Sequence, residues 1–297
     1  GTLRRGTGGR EEELSLILTY QPPYDWQAIL DFLRLRAITG VELVNDVEYA
    51  RVLQLEDTHG LVRVRHLPDH NALKVTTTLP RIELLPQVIA RVRRVFDLGA
   101  DPAAISDVLS RDPALARHVK KRPGLRLPGA WDGLEIGVRA ILGQQVSVKA
   151  ATTLVTRLVE KYGTRTKDDK DLTHIFPAAR ILAEADLSGL GMTQRRIDAI
   201  AALARLAVER PELFDGGADP EELTSALIAL PGIGPWTANY MAMRVARATD
   251  AFIEGDLVVR KSFSGEGDMI SPRALAAHSA QWRPWRAYAV MHLWAAV

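Results

Sequence analysis

The sequence predicts an α+β N-terminal domain followed by an all-helical region, because the spacing of its apolar residues changes along the chain. Over residues 11–80, most segments alternate apolar and polar residues with the two-residue period of strands, around one segment of helical spacing. Over residues 81–297, apolar residues recur at helical spacing, with Gly or Pro between successive segments. We therefore expect an antiparallel sheet with one helix packed on it, and then a compact set of helices.

The N-terminal domain divides into strand segments and one helical segment. In chain order these are a strand in LSLILTY, a helix in WQAILDFLRLRAI, and strands in VEYARVLQLED, GLVRVRHL and ALKVTTTL. The short turns DTHG and LPDHN separate the last three strands, so we expect them to pair as consecutive hairpins. Residues 1–10, GTLRRGTGGR, are rich in Gly and Arg and predict a tail or the end of an interdomain linker.

Ten segments of the C-terminal region show helical spacing, and several begin with a capping residue. Asp101, Asp219 and Ser271 each precede a Pro, a combination typical of a helix N-terminus. The predicted helices begin near Leu84, Ala103, Gly133, Val148, Thr193, Pro220, Trp236, Leu257, Pro272 and Pro284.

Composition excludes several kinds of site. With no Cys, the chain cannot form disulfides, thiolate nucleophiles, zinc–thiolate sites or cysteine-ligated iron–sulfur clusters. The 38 Lys and Arg nearly balance the 36 Asp and Glu, so the charge permits a nucleic-acid partner without indicating one. The seven His show no spacing typical of a metal site. No apolar run reaches the roughly 18 residues that span a bilayer, so we expect a soluble, intracellular protein with no membrane partner.

The most informative segment is a helical hairpin at about residues 221–247. It contains a helix, the tight turn Leu230-Pro231-Gly232-Ile233-Gly234, and a second helix from about Trp236. Two glycines around one apolar residue let the turn's N–H groups approach a ligand closely, and the second helix directs its positive N-terminal end there. The turn therefore suits a phosphate, although a purely structural hairpin is an alternative on these residues alone.

This hairpin, LPGIGPWTAN, followed by Asp256 twenty residues after Trp236, resembles the helix-hairpin-helix DNA glycosylases. Further segments resemble the 3-methyladenine DNA glycosylase II (AlkA-like) branch, and together they cover nearly the whole chain: TYQPPYDW, RPGLRLPGAWDGLEIGVRAILGQQVSV and QWRPWRAYAVMHLW. The resemblance implies an N-terminal domain like one repeat of the TATA-binding-protein fold, packed on two helical subdomains with the active cleft between them.

The resemblance also assigns roles to residues. It implies that Asp256 is the essential carboxylate, although a carboxylate at a helix start is also a common cap. It implies a base-binding pocket of aromatic side chains, each of which alone is more typical of a core than of a pocket: Trp236, Tyr240 and Trp294. Contacts with DNA are expected from the Gln145 wedge between two helices, from the N–H groups of Gly232 and Gly234, and from Thr237 as a capping hydroxyl.

Two positions depart from the family pattern, and one ion site is implied. Gln145 stands where a relative has Leu, and Leu257 follows the carboxylate where an aromatic residue can occur. The family's hairpin carbonyls hold a monovalent cation, so we expect Ile228, Leu230 and Ile233 to offer a structural Na⁺ or K⁺ site. No other cofactor is expected.

The reaction that these residues suit is hydrolysis of an N-glycosidic bond. Its oxocarbenium-like transition state needs a negative charge near the anomeric carbon or a base that activates water, and Asp256 can supply either. A base such as 3-methyladenine or 7-methylguanine already carries positive charge and leaves without a general acid, and electron-rich rings attract it once it is rotated out of the duplex. The expected partner is double-stranded DNA containing alkylated bases, bound by a monomer in the bacterial cytoplasm.

Three alternatives remain at this point. Bifunctional relatives have a Schiff-base Lys where this chain has Trp236, and the nearest downstream lysine is Lys261, which disfavours an oxidised-base glycosylase/lyase. A non-catalytic helix-hairpin-helix DNA-binding module would not need Asp256 with its aromatic partners. An unrelated helical regulator would explain neither the turn nor the carboxylate. Basic residues over 116–126, with Arg260 and Lys261, predict salt-dependent DNA affinity or simply a solvated surface.

Overall fold

The computed structural model describes residues 13–167 and 169–296, so the predicted tail over residues 1–10 lies outside the described part of the chain. The first unit is a five-stranded antiparallel sheet with the strand order β1-β5-β4-β3-β2. Its elements are β1 (Glu13–Thr19), α1 (Trp26–Arg34), β2 (Glu42–Val44), β3 (Glu48–Leu55), β4 (Thr58–Leu67) and β5 (Ala72–Thr78). The predicted hairpins β3–β4 and β4–β5 are confirmed, and β1 returns to pair with β5 along its whole length.

A second helix, α2 (Leu85–Val95), belongs to the core of this sheet. Its side chains Val88, Val92 and Val95 are buried with those of α1 and the strands. The sequence pattern predicted a domain boundary at residue 80, which would assign this helix to the helical region instead. The apolar spacing of a helix shows that one face is buried, but it does not show which core that face joins.

Eleven further helices follow within the described residues: α3 (Pro102–Leu109), α4 (Pro113–Lys121), α5 (Gly133–Leu142), α6 (Val148–Tyr162), α7 (Ala179–Glu184), α8 (Gln194–Glu209), α9 (Pro220–Ile228), α10 (Pro235–Arg244), α11 (Leu257–Ser264), α12 (Pro272–His278) and α13 (Arg286–Trp294). The predicted caps are confirmed, since the side chains of Asp101, Asp219 and Ser271 accept hydrogen bonds from N–H groups of their first turns. The sequence did not predict α4 and α7. The fold class, a sheet domain followed by a helical region, is confirmed.

The prediction that residues 81–297 are all-helical is wrong in one place. Two short antiparallel strands, β6 (Thr164–Arg165) and β7 (His174–Ile175), follow α6. Leu172 and Ile175 pack against Ala50 and Val52 of β3, so the segment that contains this small sheet attaches the helical region to the five-stranded sheet. Strands of two residues are too short to show an alternating pattern.

The helices form two cores. One contains buried residues of α5, α6, α8, α9 and α10, and the other contains buried residues of α3, α4, α11, α12 and α13. Two half-buried side chains, Trp236 of α10 and Trp294 of α13, pack against both cores. The two cores therefore meet at these side chains, where the resemblance implies the active cleft.

A buried group of charges joins the first sheet to α5. Arg139 of α5 contacts Glu42 of β2 and, at 3.2 Å, Glu135 of its own helix. Arg51 of β3 lies 2.7 Å from Glu135 and 3.5 Å from Glu42. Each charge has partners of the opposite sign, which offsets the cost of burying it.

No helix within the described residues is long and apolar enough to cross a membrane.

Candidate active site

Asp256 lies at the start of α11, where its carboxylate accepts three hydrogen bonds. Its Oδ1 accepts from the Val259 N–H at 2.9 Å, which caps the helix. The Trp236 indole N–H donates to Oδ2 at 2.9 Å, and the Trp294 indole N–H donates to Oδ1 at 3.2 Å. The half-buried side chain of Asp256 therefore both caps α11 and contacts the two predicted aromatic residues. The two indoles fix the orientation of the carboxylate from both sides.

The segment that leads to Asp256 is not a strand. The apolar residues Phe252 and Ile253 are typical of a strand in sequence, but residues 251–255 form a loop with a turn just before α11. Phe252 and Ile253 are buried in the second helical core, and the Asp256 N–H donates to the Ile253 carbonyl. An anchored turn rather than a strand thus positions the carboxylate.

A cavity of about 420 Å³ opens beside Asp256, within the size range of small-molecule sites. The structure brings the three predicted aromatic residues together in its wall. The rings of Trp236 and Tyr240 stack with centroids 5.3 Å apart and planes 5° apart, and Trp294 lies 6.2 Å from Tyr240. Phe32 of α1 continues this surface, 6.5 Å from Trp294. Sequence reasoning missed Phe32, because its helix belongs to a different unit and its spacing is that of an ordinary core residue.

Guanidinium groups occupy part of the aromatic surface. Arg244 donates to the Tyr240 hydroxyl at 2.8 Å, and the guanidinium of Arg36 lies 3.7 Å from the ring centre of Phe32. Burial raises the pKa of the Tyr240 phenol, but the guanidiniums of Arg244, Arg36 and Arg139 outweigh burial, so that pKa is lowered. Burial also lowers the pKa of Arg36 to about 10. The cavity rings that have no guanidinium beside them are therefore chiefly those of Trp236 and Trp294.

The two hairpin glycines are held differently. Gly232 has φ +80°, and a Cβ there would come within 3.0 Å of the Ala199 Cβ on α8. Gly234 is the N-cap of α10 with φ −103°, and nothing lies within 4 Å of where its Cβ would be. The fold therefore requires Gly232, whereas the space in front of Gly234 is open to a ligand.

The capping role predicted for Thr237 is wrong. No side chain caps α10; Thr237 is only 2% exposed, and its hydroxyl oxygen accepts a hydrogen bond from Gln144 at 3.1 Å. Pro235 has no N–H, so the uncapped N–H groups in the first turn of α10 belong to the residues after Pro235. Contact of the Thr237 hydroxyl with DNA stays a prediction.

Gln145 lies in the turn between α5 and α6, next to cavity residues Gly143 and Val146. It is exposed and has φ +57°, a left-handed conformation uncommon for residues other than Gly. The turn thus holds the predicted wedge side chain out at the mouth of the cavity. Leu257, the second departure from the family pattern, is 61% exposed beside Asp256.

The backbone of Ile228, Leu230 and Ile233 lies at the end of α9 and in the hairpin turn. Carbonyl groups at a helix C-terminus lack partners within the helix, which suits a monovalent cation. The Leu230 carbonyl accepts a long hydrogen bond, 3.3 Å, from the Ile233 N–H. The described residues contain no His, Asp and Glu cluster suited to a metal ion. The Na⁺ or K⁺ site stays a prediction.

Several basic residues proposed for DNA affinity are engaged elsewhere. Arg126 is buried and donates to the carbonyls of residues 21, 23, 97 and 100, and Arg122 pairs with Asp25 at 3.2 Å. Arg260 donates to the Ile270 carbonyl. Arg126 therefore fits neither alternative predicted for this basic run, DNA affinity or a solvated surface, because a contiguous basic run in the sequence does not show which members face solvent.

Comparisons with known proteins agree with this geometry. Residues 15–132 match the AlkA N-terminal domain, and residues 138–280 match the HhH-GPD superfamily of base excision DNA repair proteins. The chain is 38% identical to DNA-3-methyladenine glycosylase 2 of Escherichia coli, over 93% of this chain and 95% of that protein. It is 41% identical, over 95% of its own length, to a protein of Mycobacterium tuberculosis described as a probable bifunctional transcriptional activator/DNA repair enzyme AlkA. It spans only 56% of that relative's length.

Solved structures show the same fold. A 3-methyladenine DNA glycosylase from Archaeoglobus fulgidus superposes with a TM-score of 0.82 at 19% identity, over 94% of this chain and 97% of that one. An 8-oxoguanine glycosylase/lyase from Clostridium acetobutylicum, in complex with double-stranded DNA, gives 0.73 at 16% identity, over 99% of this chain and 96% of that one. At such identities the likeness establishes the fold alone.

Proposed function

The chain belongs to the HhH-GPD superfamily of base excision DNA repair proteins, in the branch with an AlkA N-terminal domain, and from this membership we propose that it is a monofunctional DNA N-glycosylase acting on alkylated bases. Its substrate would be duplex DNA containing bases of the 3-methyladenine or 7-methylguanine type. Hydrolysis of the N-glycosidic bond would leave an abasic site and start base excision repair.

One observation carries the proposal: the Asp256 carboxylate lies between two indole N–H donors at the wall of an aromatic cavity. A fixed negative charge stabilises a sugar that develops oxocarbenium character more effectively than a mobile one, because no reorganisation is needed as the charge develops. The same orientation allows Asp256 to accept a proton from an attacking water.

The cavity receives the base. A nucleobase is inaccessible within the duplex, so the lesion has to rotate out of the stack into the space lined by Trp236 and Trp294. A cationic base gains stacking and cation–π attraction there, about 0.5–2 kcal/mol for each ring. A neutral base gains less and also leaves less readily, so both steps favour alkylated bases.

Simple hydrolysis, without strand cleavage, follows from the residues that line the cavity. Among the described residues, no lysine lines it. By the family resemblance, Trp236 also stands in the sequence where a lyase has its Lys. Lys261 is exposed on α11, more than one helical turn after Asp256. We further propose that the protein works as a monomer on DNA in the bacterial cytoplasm, since one chain contains the carboxylate, the pocket and the hairpin.

The first test is release of methylated purines from a methylated duplex by the wild type and by Asp256→Asn, with an alkali step that reveals abasic sites. Asn is as good an N-cap as Asp, so this variant keeps the cap and removes the charge. We expect loss of at least about a thousandfold in rate, because the charge supports the reacting sugar directly. Asp101→Asn, at the N-cap of α3, is the matched control and should retain wild-type activity.

Strand breaks that appear only after alkali would support the monofunctional reaction, and breaks without alkali would indicate a lyase. Full activity of Asp256→Asn would remove Asp256 from the mechanism. Binding without base release by the wild type would indicate a non-catalytic DNA-binding protein.

A further inference from the structure

One side chain joins the two elements that the proposed function places against DNA. The amide of Gln144, in the turn between α5 and α6, reaches across to the hairpin between α9 and α10. Its Nε2 donates to the Gly232 carbonyl and to the Thr237 hydroxyl oxygen, each at 3.1 Å. Both hydrogens of the amide nitrogen are thereby used on the hairpin.

The backbone of Gln144 is held as well. Its N–H donates to the Ile141 carbonyl at 3.3 Å, and its carbonyl accepts a hydrogen bond from the guanidinium of Arg196 on α8. The next residue is the predicted wedge, Gln145, in the left-handed conformation. Because a left-handed residue costs about 1–2 kcal/mol, that conformation persists only where neighbouring contacts hold it.

Gln144 does not touch the reacting groups. It is absent from the lining of the cavity, whereas Gly143 and Val146 on either side of the turn are present in it. It also makes no hydrogen bond to Asp256 among the described residues. Any effect of Gln144 on base release therefore passes through the turn or the hairpin.

We propose that Gln144 is a positioning residue that holds the wedge turn against the phosphate-binding hairpin. The contacts of the hairpin with the DNA backbone then determine how deeply Gln145 enters the duplex. This inference rests on the proposed function. Its chemistry is specific: two donors on a side chain of this length are needed, so neither Ala nor Glu can replace Gln144.

The test compares two substrates under single-turnover conditions with enzyme in excess. One duplex has 7-methylguanine paired with cytosine, and the other has the same lesion opposite an abasic site, where eversion needs no unpairing. For Gln144→Ala and Gln144→Glu, we expect the rate on the paired lesion to fall about tenfold, as for loss of hydrogen bonds to buried groups. On the unpaired lesion we expect a change of no more than about twofold, since the chemistry at Asp256 is intact.

A double variant tests whether Gln144 acts through the wedge. If it does, Gln144→Ala added to Gln145→Ala should cause little further loss of rate on the paired lesion.

A 2-aminopurine placed beside the lesion reports unstacking independently of bond cleavage, and its fluorescence change should decrease in the variants together with the rate of base release. Gln27→Ala, which alters an exposed glutamine on α1 that donates to Asp31, is the matched control. Thr237→Val removes one bond of the bridge and serves as a milder variant if Gln144→Ala folds poorly.

Equal losses on both substrates, or additive losses with Gln145→Ala, would overturn the positioning role. Wild-type rates in the Gln144 variants on the paired lesion would also overturn it. A wild-type protein inactive on both duplexes would contradict the proposed glycosylase instead, so the two failures are distinguishable.

Discussion

Trp236 and Trp294 each act in two ways through different parts of one side chain. Their rings line the cavity, and their N–H groups hold the two oxygens of Asp256. Hydrogen bonds to a charged group contribute about 1.5–3 kcal/mol, so the N–H groups are as important energetically as the rings. A substitution that keeps the ring but removes the N–H separates the two roles.

We expect Trp236→Phe and Trp294→Phe to lower the single-turnover rate constant at saturating enzyme by about ten- to a hundredfold, through loss of one charge-assisted hydrogen bond. DNA affinity should change little, because an aromatic ring remains. Trp285→Phe, which alters an indole packed on Tyr288 and outside the cavity, is the control. A fall in affinity with an unchanged rate constant would show that the N–H groups do not hold the carboxylate.

At the scale of residues, the sequence identifies the groups but not their bonds. Asp256, Trp236 and Trp294 were predicted because their types and spacing match a family pattern. That the indoles donate to the carboxylate depends on how α10, α11 and α13 pack, which spacing along the chain does not determine. Nothing in the sequence indicated the bridging role of Gln144 except that it precedes Gln145.

At the scale of elements, the hairpin shows how two similar residues serve different needs. Gly232 has a left-handed backbone and packs against α8, whereas Gly234 has an ordinary backbone and open space before it. One glycine is therefore required by the fold, and the other leaves open space in front of the hairpin, where we propose that DNA binds.

We expect Gly232→Ala to lower the free energy of unfolding by about 1–2 kcal/mol or more, through backbone strain and the contact with Ala199. Gly234→Ala should leave that free energy within about 0.5 kcal/mol and weaken DNA binding, because a methyl group occupies space next to the backbone N–H groups. Urea denaturation and fluorescence anisotropy with a labelled duplex measure the two effects. Destabilisation by Gly234→Ala, or normal DNA affinity, would contradict this division.

Most elements were predictable because each repeats a periodic signal over several turns or residues. The starts of nine of the ten predicted helices lie within one residue of those in the structure, which reflects the strength of Asp, Ser and Pro as helix-start signals. Helix α4 carries the same start signal, with Asp112 as its cap before Pro113, and was therefore predictable although it was not predicted. Helix α7, with six residues and no side-chain cap, and strands β6 and β7, with two residues each, are too short for such a signal.

At the scale of the whole molecule, the buried His292 on α13 links stability to pH. It is 5% exposed, and its Nδ1 has no hydrogen-bond partner among the described residues. Burial, together with the nearby positive charges of His118 and Arg122, lowers the pKa of His292 to about 4. The unfolded chain therefore binds this proton more readily than the folded protein does.

Stability should accordingly be highest above about pH 6.5, the usual pKa of histidine, and should be lost as the pH falls towards about 4, by about 3 kcal/mol from this residue. His292→Phe should flatten the dependence over this window, as measured by urea denaturation at a series of pH values. His70→Gln, at an exposed histidine, should leave it unchanged. An unaltered slope in His292→Phe would show that other groups dominate acid unfolding.

The arrangement of the two units was the least predictable feature. Sequence patterns established a sheet domain and a helical region, and both are confirmed. They did not show that Phe32 and Arg36 from the first unit enter the cavity, because contacts between residues some two hundred positions apart leave no trace in local periodicity.

The buried charges between the sheet and α5 constrain how this protein can be altered or recombined. Glu42 and Arg51 come from one half, Glu135 and Arg139 from the other, and several of these side chains also line the cavity. A chimera that exchanged only one half for that of a distant homologue would leave buried charges without partners and would distort the cavity beside Asp256. The halves are therefore expected to diverge in step, with compensating changes at these four positions.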